Sequence, residues 1–162
     1  MKSKLIAAIM ASCLLIPLFG CSQAKKSVVN KYALETVKIL DNEYNTNLKT
    51  PPAADVISAA YCASAGASSA TAVKSTELAV EGLRKAVGDD PEGMALADKV
   101  DKLRLTLKEC SFVRCKASVR GDTAPVENIA KLLGIDPAAQ PSQQACASYE
   151  KMSAKLNAAL AK

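Results

Sequence analysis

Three stretches of this chain carry side chains whose types and spacing could do chemistry. Ser148-Tyr149-Glu150-Lys151 sets a serine hydroxyl one helical turn from a lysine amine, the spacing at which the amine can activate the hydroxyl as a nucleophile. Ser22-Gln23-Ala24-Lys25 repeats that spacing. The companion motifs Ser-Asp-Asn and Lys-Thr-Gly, which complete such a site, do not occur, so both matches read as chance. Asp41-Asn42-Glu43-Tyr44-Asn45-Thr46-Asn47 puts oxygen side chains at alternate positions, like the opening of a calcium loop. Its sixth position is Thr46 where such a loop needs glycine, and its twelfth is Pro52 where it needs glutamate, so it reads as a polar helix end. The run Asp98, Lys99, Asp101, Lys102 reads as a solvated helix face. Histidine is absent, which removes the commonest general base and the commonest metal ligand. Neither a phosphate loop, a dinucleotide fingerprint nor a c-type haem motif occurs. The expectation is a protein without catalytic residues, metal ligands or cofactor, and not an enzyme.

The elements that hold these residues read as helices throughout. Alanine is abundant, aromatics make up 4% and tryptophan is absent, a composition that suits closely packed helices. The first helix is expected over about 27–47, capped by Ser27, with Val29, Ala33, Val37, Leu40 and Tyr44 in one apolar stripe. The second should run from about Ala53 to Val87 and stop at Gly88, with a break near Gly66 or Ser68-Ser69. Its first half is rich in small residues that let a neighbour approach closely, and Val73, Val80 and Val87 follow seven apart. Asp89-Asp90-Pro91-Glu92 is a strong helix start, with an acidic cap and proline in the first turn. The third helix then reaches about Val119 with two stripes. One holds Leu96, Val100, Leu103, Leu107 and Cys110, and the other Leu105, Phe112 and Cys115. A short helix over 125–133 ends at Gly134, and a last one over about 141–160 turns Ala145, Tyr149, Met152, Leu156 and Leu160 inward. Period-two alternation of useful length is lacking, so the expected fold is an all-α antiparallel bundle of about four long helices and one short.

The N-terminus gives the chain an address. Lys2 and Lys4 precede an apolar run from Leu5 to Phe19, too short to span a membrane and laid out like a secretory signal. At its end, Leu18-Phe19-Gly20-Cys21 resembles the lipobox of a bacterial lipoprotein. That resemblance implies removal of residues 1–20 as a signal peptide and a lipid, with acyl chains such as palmitate, on Cys21. Residues 21–26 would be a short tether and 27–162 a single helical domain. At about 0.8 kcal/mol for each buried CH₂, several chains make a stable anchor. Inner-membrane retention in such proteins usually needs aspartate after the cysteine; Ser22 favours the outer membrane. The mature chain loses Lys2 and Lys4, leaving 19 basic against 16 acidic residues, about +3 and too mild for nucleic acid.

Of six cysteines, Cys13 leaves with the signal and Cys21 takes the lipid. Cys62, Cys110, Cys115 and Cys146 remain, an even number suited to two disulfides in an oxidising compartment. Three pairings are possible, and helix geometry ranks them. Cys110 and Cys115 lie five apart on one helix, about 140° around its axis, so each must reach a different neighbour. Folding back near residues 88–91 sets Cys62 level with Cys115 and about 9 Å off level with Cys110. The expected bridges are Cys62–Cys115 and Cys110–Cys146.

With no catalytic constellation, the expected role is a lipid-anchored envelope protein acting as an interaction module or adaptor for an envelope partner. In general architecture the chain is similar to the small pilot lipoproteins that escort secretins. The alternatives are a plasmid- or phage-type exclusion lipoprotein, or a binder of a small apolar ligand within the bundle.

Overall fold

Caps and apolar stripes decide where each helix begins and which way it faces. The computed structural model describes residues 18–50, 58–119 and 123–161. Among them are five α-helices and no strand: α1 (Leu18–Glu43), α2 (Ser58–Val87), α3 (Pro91–Ser118), α4 (Ala124–Leu133) and α5 (Ala145–Leu160). Residues 1–17 of the leader, with Cys13, lie outside the described residues, as do the Pro51-Pro52 stop and the Arg120-Gly121-Asp122 closure. At the start of α3, Asp90 accepts the Gly93 N–H at 3.0 Å and Pro91 fills the first helical position, where its missing N–H costs nothing. Gly88 and Gly134 close α2 and α4 at φ 61°, a left-handed conformation that glycine alone adopts freely.

The four long helices form an up-down bundle. α2 and α5 each run antiparallel to both α1 and α3, and α1 runs parallel to α3. The α1–α3 register holds along their length. Lys26 meets Glu92 at one end and Leu48 meets Arg114 near the other, both pairs 66 residues apart. All five predicted residues of the α1 stripe are buried. The stripe continues to Leu48 through a π-helical turn, Tyr44–Leu48, closed by the Lys49 N–H on the Tyr44 carbonyl at 2.8 Å. Within this looser turn Tyr44 and Leu48 both stay buried.

Two disulfides staple this frame as the spacing predicts. Cys62 and Cys115 join α2 to α3 with Cα atoms 4.6 Å apart, and Cys110 and Cys146 join α3 to α5 at 4.7 Å. α4 lies outside the four-helix bundle and packs on α2 and α3. It turns Ile129, Ala130 and Leu133 onto Phe112 and the Cys62–Cys115 bridge, making a small second core.

The structure corrects several expectations. α1 starts at Leu18, so Ser27 caps nothing and residues 21–26, expected as a tether, are helical. Lys26 Nζ lies 2.6 Å from Glu92, and Lys25 Nζ donates to the Val87 carbonyl at 3.3 Å, so these first turns of α1 lie against the α2–α3 turn through surface contacts. α2 runs unbroken through Gly66 and Ser68-Ser69. Leu105 is 42% exposed, not part of a buried second stripe; it lines a surface cavity of about 290 Å³ with Ile135 and Pro141. α5 begins at Ala145, and residues 141–144 form its approach.

At Gly66 the Ile129 side chain of α4 packs directly against α2. A Cβ there would sit 2.7 Å from Ile129 Cγ1 and 2.9 Å from Cγ2, well inside contact distance. At Gly82 a Cβ meets only the Tyr32 hydroxyl at 3.6 Å. Gly66→Ala should therefore lose about 1–2 kcal/mol of stability, because overpacking outweighs its gain in helix propensity. Gly82→Ala should gain about 0.5–1 kcal/mol from propensity alone. Urea denaturation of the two variants beside the parent checks both signs.

Candidate functional site

The stretch that resembles a calcium opening sits at the disulfide-stapled end, and its carboxylates diverge. Asp41 and Glu43 are two residues apart, about 200° around α1, so they address different neighbours. Asp41 reaches α5, where it accepts from the Tyr149 hydroxyl at 2.8 Å, the Asn157 amide at 2.7 Å and the Ser153 hydroxyl. Glu43, 6% exposed, reaches α2 and accepts from Ser68 at 2.6 Å, Ser69 at 2.7 Å and Asn47 at 3.0 Å. Between them Tyr44 stacks on Tyr149 with ring centroids 4.7 Å apart and donates to Glu150 at 2.9 Å. Arg114 Nε donates to the Leu48 carbonyl at 3.1 Å, satisfying an acceptor at the end of the π turn. These groups bond one another and bind α1 to its neighbours. Among the described residues no three His, Cys, Asp or Glu side chains are placed to hold a metal ion.

Burial raises the two tyrosines. The Tyr44 hydroxyl is pushed up to about 12, first by burial and then by its bond to Glu150. Tyr149 is raised further, by burial and then by the charge and hydrogen bond of Asp41. A phenol raised on folding holds its proton more tightly in the folded state. Its stabilisation is whole below about pH 10 and is lost as pH rises through the folded value.

The other singled-out residues separate. Ser148 and Lys151 stand exposed on α5. Lys25 is engaged with the Val87 carbonyl. In the charge run, Asp98 and Asp101 accept from Arg84 at 3.0 and 3.1 Å, and Asp101 also binds Arg104, while Lys99 and Lys102 are exposed. This network joins α2 to α3. The backbone of Cys21 lies in the first turn of α1. Among the described residues no helix is long and apolar enough to cross a membrane.

Sequence reasoning missed the main apolar feature of the surface. Leu78 on α2 is 61% exposed and Leu132 on α4 is 60% exposed. Both line one groove of about 530 Å³, floored by Ala67, Ala70 and Thr71. A second hollow of about 280 Å³ continues past Leu132 to Ala63 and Ala59. Ala63 and Ala67, expected against a packed neighbour, are exposed along it. The signals were present. Leu78 lies two residues from Val80, hence on the opposite side of α2 from the buried valine stripe. Leu132 adjoins the buried Leu133, and neighbours 100° apart on a short amphipathic helix cannot both face in.

No protein-family profile matches the chain, and no curated protein or solved structure does either.

Removing an anchor of the polar network leaves its partners orphaned. Asp41→Ala should cost about 2–3 kcal/mol, because the buried Tyr149 hydroxyl loses its acceptor, while Tyr149→Phe should cost about 1 kcal/mol. The parent should lose stability as pH rises above about 10, and Tyr44→Phe should lessen that loss. Urea unfolding between pH 7 and 11.5 checks the order and the sign.

Proposed function

We propose that this chain is a lipid-anchored protein of the bacterial envelope, held through Cys21, and acts as a non-enzymatic interaction module. The groove between α2 and α4 takes an amphipathic helix of an envelope partner. The observation that carries this reading is the pair Leu78 and Leu132, about three-fifths exposed on either side of an alanine floor. Small residues let a visiting helix come close, and the two leucines supply apolar anchors for it. The lipobox resemblance at Leu18-Phe19-Gly20-Cys21 supports the anchor, and Ser22 after it favours the outer membrane.

Magnitudes fit such a partner. Covering what is exposed of each leucine gains about 1–2 kcal/mol, so the two alone give weak binding. A partner in the same membrane meets the groove at a high effective concentration, for which a shallow site suffices.

A photo-crosslinking residue at Leu78 or Leu132, in intact native cells, should trap one dominant envelope protein. The same residue at Glu35, on the exposed face of α1, should not. Leu132→Asp should lower the Leu78 crosslink at least tenfold while changing stability by less than about 0.5 kcal/mol. Equal background at all three positions would contradict the adaptor role and favour exclusion of an incoming element.

A further inference from the structure

We infer that the chain stands upright on the bilayer in one orientation, with the α2–α3 turn at the lipid headgroups and the disulfide-stapled end farthest out. The inference rests on the lipid at Cys21 proposed above. Its own ground is the backbone between that residue and the core. The part of α1 that remains once residues 1–20 are removed runs without a break from Cys21 to Glu43, so no coil separates Cys21 from the bundle. Val29, the first buried residue, lies only eight positions on, about 12 Å along the helix. A flexible segment of that length would let the domain tumble or lie flat against the lipid. Here the helix is also clamped from the side. Lys26 pairs with Glu92 at 2.6 Å, and Lys25 Nζ holds the Val87 carbonyl at 3.3 Å. The parallel α1–α3 register, 66 residues at both ends, carries that alignment through the domain.

The clamp also settles what the membrane end is made of. Lys25 and Lys26 serve the α2–α3 turn, where Asp89, Asp90 and Glu92 are exposed. Among the described residues this end mixes Lys25, Lys26 and Lys85 with Asp89, Asp90 and Glu92, so it is not a uniformly basic patch, and orientation comes from the covalent anchor and the stiff helix. The groove follows from the same geometry. Leu78 lies about 14 Å and Ala63 about 36 Å from Val87 along α2. The groove thus runs along the membrane normal, and the partner segment that fits it is a helix rising from the same membrane.

The test uses the full lipidated protein, reconstituted in vesicles of phosphatidylethanolamine and phosphatidylglycerol. A donor dye on the exposed Thr46 side-chain position and acceptors in the headgroups report distance. The native protein should give one narrow distribution centred on the order of 40 Å. Inserting Gly-Ser-Gly-Ser between Gln23 and Ala24 should shorten its mean and broaden it at least twofold. A native distribution as broad as that of the insertion variant would overturn the fixed orientation and leave the anchor standing. Protein that fails to partition into vesicles would overturn both.

Discussion

Two cysteines, five residues apart on one helix, govern how this molecule is put together. Cys110 and Cys115 leave α3 about 140° apart, so a single helix is tied to two neighbours, α2 through Cys62 and α5 through Cys146. The closed segments span 53 and 36 residues, and constraint of that kind stabilises by about 3–4 kcal/mol each in the chain-entropy account. That matters in a core of alanine, valine and leucine with few aromatic rings. The bridges also set levels. With Cys62 fixed opposite Cys115, Arg84 reaches Asp98 and Asp101 further along the same pair of helices. α4 then has a hard surface to lie on, and its contact with Gly66 and Phe112 leaves Leu132 turned outward. The groove is a consequence of where α4 docks.

The same end of the bundle is held a second time by hydrogen bonds. Asp41 and Glu43 act in opposite directions from one stretch of α1, one onto α5 and one onto α2. Such buried polar groups cost free energy unless every partner is supplied, and here serine, asparagine and tyrosine donors meet both carboxylates. The π turn belongs to the arrangement, since it lets Tyr44 stack on Tyr149 while Leu48 still reaches the core. At the other end the holding is lighter and more exposed, through Lys25 and Lys26 on the α2–α3 turn. The stapled end is thus the rigid platform, and the first turns of α1 lead away from it toward the membrane in the proposed setting.

Much of this was legible because helix stripes and helix levels are local arithmetic. Val29 to Tyr44 fall on one face whatever surrounds them, and the Cys62–Cys115 pairing follows from rise per residue and one turn. What stayed hidden depended on partners distant in sequence. Residues 21–26 look like a linker until Glu92 and the Val87 carbonyl are brought beside them. Asp41 and Glu43 look like a polar helix end until Tyr149 and Ser69 arrive from more than twenty residues away. Leu105 has apolar spacing that suits burial, yet nothing covers that side of α3 fully, and it remains at the rim of a cavity. Leu78 and Leu132 could have been found by asking which apolar residues fall off the buried faces of their helices.

The proposed role joins two features that sit on different parts of the chain: an anchor at the start of α1 and an apolar groove beside α4. The direction and height of the groove are defined from Cys21, in the first turn of α1. The most direct measurement is mass spectrometry of the mature N-terminus, isolated from native membranes. The account predicts a chain that begins at Cys21 and carries the added mass of a diacylglyceryl group and further acyl chains. A mature N-terminus at any other residue, or an unmodified Cys21, would contradict it.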